Sequence, residues 1–389
     1  MVNEDQVLTA ANQPPRWPII AGGGAYLLLV ALGIALGGEI GQIALAGLNA
    51  LPFAVLAVLA YLGGRSFNWA WIATILWLML LVGGATLIAV GSAGAALFEI
   101  SADTPTAPAP TGGEILQIGL ILAGVLVAIG LGVLCMIAPI RRVLARMVPI
   151  DPESFVHTVA LACVVTVGLI CVVPLLVIGA PPLLAAIAQA GGDSSDALVT
   201  NRDSAGQLRD QVYSLIWTIP AAVLAVGYGV RRNLAAALQR LGFVRPTLRQ
   251  VLAGVGIALL LAGAVQLIGA GIDWLWNSLG WATTDEEAFS ELLAFALNPI
   301  GAIVIGVTAG LGEELAVRGV LQPRLGLIVS NLFFTSLHAL QYNWDALLIV
   351  FLVGMVCGIV RNRTNTSTAA IVHGTYNFSL IMLSITLGT

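Results

Sequence analysis

Eleven apolar runs, most of them about 20 residues long, dominate this chain of 389 residues: near 18–37, 43–63, 68–90, 115–140, 155–179, 211–230, 249–272, 297–317, 326–341, 345–360 and 368–388. About 20 apolar residues in helical form reach across a hydrocarbon core roughly 30 Å thick. The pattern predicts an all-α, polytopic integral membrane protein with about eleven transmembrane helices, two of the last four short enough to need tilt or cover from neighbours. Composition agrees: 59% of residues are hydrophobic and 9% charged, against about a quarter charged in soluble domains. A net charge of -4 with 16 basic residues leaves no basic patch of the kind that holds nucleic acid, so polynucleotide partners are excluded from the reading.

The few charges inform by position. Arg65, the cluster Arg141, Arg142 and Arg146, the run Arg231 to Arg249, and Arg361 with Arg363 fall in alternate loops, while the intervening loops, SADTPTAPAP, GGDSSDALVTNRD and TTDEEAFSE, are acidic or neutral. The positive-inside rule then places the N-terminus in the cytoplasm and the C-terminus outside, in a multi-pass protein of the cell membrane. The first residues, MVNEDQVLTAANQPPRW, are polar and acidic, unlike a secretory signal, and read as a retained cytoplasmic tail. Trp17, Trp69, Trp71, Trp274, Trp276 and Trp281 cluster near span ends, as an interfacial aromatic belt would. Cys135, Cys163, Cys171 and Cys357 sit inside apolar runs without CxxC or Cys/His spacing, so no disulfide is expected.

The basic, helical segment 231–250, broken by Pro246, divides the chain into N-terminal helices of unassigned role (1–230), a cytoplasmic connector (231–250) and a C-terminal membrane domain (251–389). Neither an internal repeat nor a nucleotide-binding glycine pattern is present; the 44 glycines are scattered, as suits close helix packing. Unusual polar groups appear after the connector. Glu313, Glu314 and Arg318 sit late in one span, Phe334 and His338 in the next, and His373 and Asn377 in the last.

Spacing organises these groups. Phe334 and His338, His373 and Asn377, and Glu314 and Arg318 each stand four residues apart, so each pair shares a helical face. Glu314 and Arg318 read first as a structural ion pair that lowers the cost of burying both charges. Glu313 lies about 100° around the helix, away from Arg318, and an ionisable residue left over inside a span is a functional candidate by default. His157 reads as an interfacial histidine, and Asp285, Glu286 and Glu287 as a solvated run. Lone histidines in spans often serve only as hydrogen-bonding glue; two histidines, an asparagine and a spare glutamate on three spans suggest more.

Such a set supports hydrolysis. A carboxylate in a low-dielectric cavity can act as general base on water while an imidazole orients that water, and a second histidine with an asparagine amide can donate to an oxyanion. The same residues could instead hold zinc through two histidines and a glutamate, with one position open, although HExxH is absent. A transporter or channel could use the same Glu, Arg and His as a proton or substrate pathway, though the inverted repeat that would favour it is missing. A silent membrane scaffold would need none of them.

EELAVRG fits an EExxxR motif, FFTSLH an FxxxH motif and HGTYN an HxxxN motif, in that order on three helices. Over roughly residues 295–385 the chain resembles the CPBP family, the intramembrane endopeptidases that include the CAAX prenyl proteases and bacterial bacteriocin-processing or self-immunity proteins. The resemblance implies a peptidase acting on a peptide or membrane-associated protein. Glu313 and His338 would activate water, His373 and Asn377 would form the oxyanion hole, and Glu314, Arg318 and Phe334 would support the site. It implies no cofactor in the glutamic-peptidase description and zinc in the older metalloprotease one, the latter with Glu313, His338 and His373 as ligands. At about 1.5 Å per residue, Glu313 and His373 lie roughly 8 to 9 Å inside the expected span boundary, whereas His338 lies nearer 18 Å.

Overall fold

A computed structural model describes residues 17–64, 68–98, 110–190 and 203–387. The N-terminal tail, Arg65, and the loops carrying Asp103 and Asp196 lie outside the described residues, as does the side chain of Trp17. In chain order the helices are α1 (Trp17–Leu36), α2 (Gly38–Ala46), α3 (Leu51–Gly63), α4 (Asn68–Leu97), α5 (Gly112–Cys135), α6 (Ala138–Leu144), α7 (Phe155–Ile178) and α8 (Pro182–Ala190). They continue as α9 (Ser204–Ala225), α10 (Leu234–Leu241), α11 (Leu248–Leu279), α12 (Glu286–Leu293), α13 (Pro299–Glu314), α14 (Gln322–Leu337), α15 (Trp344–Arg363) and α16 (Thr366–Leu387), with a π-helical turn, Leu315–Leu321, joining α13 to α14. No strand occurs among the described residues.

The chain is an all-α, multi-pass membrane protein. Seven described helical stretches are long and apolar enough to cross a membrane, and the bent pair α2 and α3 makes an eighth if it crosses as one span. Part of the difference from eleven has local causes. The run at 211–230 falls on α9, whose start carries Gln207, Arg209, Asp210 and Gln211, so it is too polar to join that set. The runs at 297–317 and 326–341 lie on one path, Pro299–Leu337. Its 39 residues would extend about 58 Å as one straight helix, near twice a bilayer core. Gly326, with φ 77° and ψ 174°, divides it into two arms. A side chain there would be strained by the backbone and would also meet Pro149, 2.9 Å away.

The arginine-bearing loops gather at one end of the bundle. Thr366 donates from its amide to Gly242 at 3.1 Å and from its hydroxyl to Leu241 at 2.6 Å, Gln322 Nε2 donates to Asn362 at 2.8 Å, and Pro149 abuts Gly326. Segments 141–149, 231–249 and 361–367 are thereby tied together. Helix α11 carries the chain from Arg249 to the opposite end, where Thr284 donates to Asp345 from its amide (2.9 Å) and its hydroxyl (2.8 Å), and Asn343 binds the same loop. Among the described loops, three that carry arginines thus lie together, and the TTDEEAFSE loop lies at the other end. Trp69, Trp71, Trp274 and Trp281 are exposed on the outer surface, and all four cysteines are free.

Candidate active site

Three glycines bring the polar residues together. A methyl group on Gly306 would lie 2.8 Å from the Gly374 carbonyl oxygen, one on Gly310 would lie 2.6 Å from Gly374 Cα and N, and one on Gly374 would lie 2.5 Å from the Gly306 oxygen. Helices α13 and α16 thus touch backbone to backbone, the close approach that small residues four apart permit in membrane helices. His373, immediately before Gly374, is carried against Glu313 and Glu314.

The π-helical turn begins directly after those glutamates, a position where such turns commonly serve a site. Arg318 within it points back, its Nη1 3.3 Å from Glu314 Oε1, so the ion pair expected from the spacing forms, with both side chains fully buried. Arg318 Nη2 donates to Asn331 Oδ1 (3.1 Å) and to the Gly354 carbonyl (2.7 Å), and its guanidinium lies over the Phe334 ring, 4.6 Å from the centroid. These contacts repay part of the desolvation that a buried pair suffers.

Glu314 has a second partner that the sequence did not reveal. His373 Nδ1 lies 3.0 Å from the same Oε1, while His373 Nε2 lies 3.8 Å from Glu313 Oε2. A carboxylate can only accept, so Nδ1 carries the proton and Nε2 faces Glu313. The adjacent glutamates differ sharply in exposure: the Glu313 side chain is 37% exposed and that of Glu314 is 0% exposed. Glu313 is therefore the accessible carboxylate, and Glu314 stays behind as the anchor of Arg318 and His373.

His338 closes α14 as its C-cap, its Nδ1 2.9 Å from the Phe334 carbonyl. That carbonyl also only accepts, which fixes the proton on Nδ1 and leaves Nε2 as the basic nitrogen of the neutral ring. Phe334 stands edge-on to both imidazoles, with centroids 4.8 Å from His338 and 6.2 Å from His373. It acts as the spacer that sets their separation. Tyr342, which the motifs do not include, stacks on the far side of His338 at 5.9 Å and is backed by Phe289 at 5.0 Å. Burial first, and then the Glu313 carboxylate, push its phenol above the ordinary tyrosine range. Asn377, one turn beyond His373, is half-buried and makes no hydrogen bond among the described residues.

The mismatch in depth disappears in the folded chain. Glu313 precedes the break at Gly326 by 13 residues and His338 follows it by 12, so both stand about 18 to 20 Å from the turn. The last helix starts inside the protein, because Thr366 is fully buried beneath Leu241 and Gly242.

The ligand atoms of Glu313, His338 and His373 are not among the groups that converge as a metal site would need. Among the described residues the converging set, within 4.8 Å, is Glu314, Cys357 and His373. Its sulfur, nitrogen and oxygen donors match zinc in kind, but Glu314 Oε1 already holds His373 Nδ1 at 3.0 Å and Arg318 Nη1 at 3.3 Å, so a metal ion there would take the nitrogen that binds Glu314 and sit beside a fixed positive charge. The residues present do not fit the group. A larger cavity of about 690 Å³ lies along the outer sides of α13 and α16, lined by Ile303, Val307, Ile371 and Phe378 and closed by Phe243 and Pro246. None of the motif residues lines it.

A model of the family described as type II CAAX prenyl endopeptidase Rce1-like matches residues 295–379, a stretch that begins just before α13 and ends just beyond Asn377. No curated protein and no solved structure matches the chain. The cluster on α13, α14 and α16 thus falls entirely within a domain, residues 295–379, of the Rce1-like type II CAAX prenyl endopeptidase family, a family of peptidases, carried here by a multi-pass membrane protein.

Proposed function

We propose that the site hydrolyses peptide bonds within the membrane through a water that Glu313 deprotonates. The observation that carries this reading is the placement of His373, with Nδ1 on the buried Glu314 and Nε2 3.8 Å from the half-exposed Glu313. That distance is too long for a hydrogen bond, and a water beside the two groups can bond both. Its proton goes to Glu313 as its oxygen attacks the carbonyl carbon, with His338 Nε2 accepting the second water hydrogen and fixing the direction of approach. His373, carrying a second proton at Nε2 and supported by Glu314 at Nδ1, donates with the Asn377 amide to the oxyanion; each such donor is worth on the order of 10²–10³ in rate. Collapse of the tetrahedral species breaks the C–N bond, and the proton held by Glu313 passes to the leaving nitrogen.

The substrate is a peptide or protein, membrane-associated where the cut lies near the bilayer. Purified protein in lipid nanodiscs should cleave members of a peptide library, and Glu313→Gln protein should cleave them at least about 10²-fold more slowly; undiminished activity in that variant would sink the reading. Including the same peptides with and without a prenylated cysteine asks whether the lipid is required. Since no metal enters the steps above, activity should survive exhaustive chelation. Loss on chelation with recovery on adding zinc would move these residues into ligand roles.

The arginine-bearing end is proposed as the cytoplasmic end in the cell membrane, with the N-terminus on the same side and the C-terminus outside. Cysteines introduced near Arg142, Arg232 and Arg361 should react only with reagents applied from the cytoplasm, and those near Asp103, Asp196 and Glu286 only from outside. A reversed pattern would turn the catalytic cavity to the other face.

A further inference from the structure

At the arginine-bearing end, a polar cavity of about 30 Å³ is bounded by four arginines: Arg231, Arg232, Arg240 and Arg324. We infer that this cavity is a binding site for a phosphate group, supplied either by the headgroup of an anionic phospholipid or by a soluble phosphate compound. The wall is completed by Tyr61 of α3 and by Ser154 and His157 at the start of α7, and no aspartate or glutamate lines it.

Two of the arginines that bound the cavity, Arg232 and Arg324, differ from those held in ion pairs. Arg142 pairs with Glu153, Arg209 with Glu39 and Arg318 with Glu314. Arg324 and Arg232 are 4% and 9% exposed, and among the described residues neither meets a carboxylate. Arg324 donates to the carbonyls of Val320 (2.8 Å) and Ala225 (3.0 Å) and to the Tyr61 hydroxyl; Arg232 donates to the Val226 carbonyl (2.6 Å) and, at 3.5 Å, to the same hydroxyl. None of these acceptors is a carboxylate. The acids nearest along the chain, Asp151 and Glu153, are exposed, and Glu153 is already held by Arg142.

Buried guanidiniums without a counter-ion are costly, and their mutual repulsion adds to that cost. A phosphate removes both penalties, because its oxygens match the guanidinium fork and accept charge-assisted hydrogen bonds. The start of α7 adds the positive end of a helix 24 residues long, capped by Ser154. The cavity holds more than one water-sized group and is too small for a peptide. Its walls come from α3, α7, α10 with the segment before it, and the first turn of α14, so an occupant would join the N-terminal helices to the end of the arm that carries Glu313 and Glu314, two residues before the break at Gly326.

The test uses the purified full-length protein in detergent, stripped of lipid, with thermal unfolding followed as inorganic phosphate is added and ionic strength is balanced with chloride. Phosphate should raise the midpoint saturably where chloride does not, and Arg231→Gln should weaken the apparent affinity about tenfold or more. Arg231 is half-buried, and its side chain makes no hydrogen bond among the described residues, so its replacement leaves folding intact even where Arg324→Gln does not. The same titration in phosphatidylcholine nanodiscs with and without phosphatidylglycerol identifies the source. Loss of the phosphate response when phosphatidylglycerol is present supports a lipid headgroup, and an unchanged response supports a soluble phosphate. An absence of stabilisation by phosphate and by phosphatidylglycerol in the unaltered protein, or equal responses in Arg231→Gln, overturns the site. Unfolding is read without any peptide, so this failure would leave the hydrolytic reading untouched.

Discussion

Glu313→Gln should remove peptide cleavage by a factor on the order of 10²–10⁴, the usual worth of a general base, while unfolding stays within about 0.5 kcal/mol of the unaltered protein, as for other partly exposed positions. Its neighbour should behave differently. Glu314 is fully buried, holds Arg318 at 3.3 Å and His373 at 3.0 Å, and Glu314→Gln leaves an orphaned cation, a change that costs about 3–5 kcal/mol in buried pairs. Replacing Arg318 by Met in the Glu314→Gln background removes the orphan and should restore much of the stability, since the two residues couple directly. Activity should stay low in that double variant, because His373 still lacks the carboxylate that supports charge on its ring. Stability and turnover measured across the four proteins separate the roles. Intact folding with equal loss of activity in both single variants would mean that the carboxylates act as one unit sharing a proton.

The parts legible in the sequence were those written in local spacing. Apolar run length gave the all-α membrane fold, arginine placement marked one end of the bundle, and the four-residue intervals correctly paired Glu314 with Arg318 and set Phe334 beside His338. What stayed hidden depends on contacts between distant segments or on departures from ideal helix geometry. An ideal α-helix gave no sign of the π-helical turn at Leu315–Leu321 or of the break at Gly326, so the depth of Glu313 was misjudged. The bond from Glu314 to His373 spans 59 positions, and that from Arg324 to Tyr61 spans 263. No periodicity reports such pairings. Tyr342 escaped because a lone tyrosine between spans looks interfacial, and only the fold sets its ring on His338.

Gly310→Ala should lower turnover far more than its single added methyl group suggests. The added carbon would lie 2.6 Å from Gly374 Cα and N and 3.0 Å from the Ala370 carbonyl, all backbone atoms that cannot rotate away. Relief requires α13 and α16 to separate, at a cost of about 1–3 kcal/mol for an overpacked contact. The larger effect falls on chemistry, because the glutamates ride on one helix and His373 on the other. A shift near 1 Å there can cost about 10²-fold in rate, so turnover should fall far more than stability. Gly374→Ala, whose methyl would meet the Gly306 carbonyl at 2.5 Å, should reproduce the result from the opposite helix. Gly263→Ala in α11 is the control: nothing lies within 4 Å of its added carbon, and alanine favours the helix by roughly 1 kcal/mol. Full activity in Gly310→Ala would show that the reacting groups do not depend on this crossing, and that His373 reaches the glutamates by some other support.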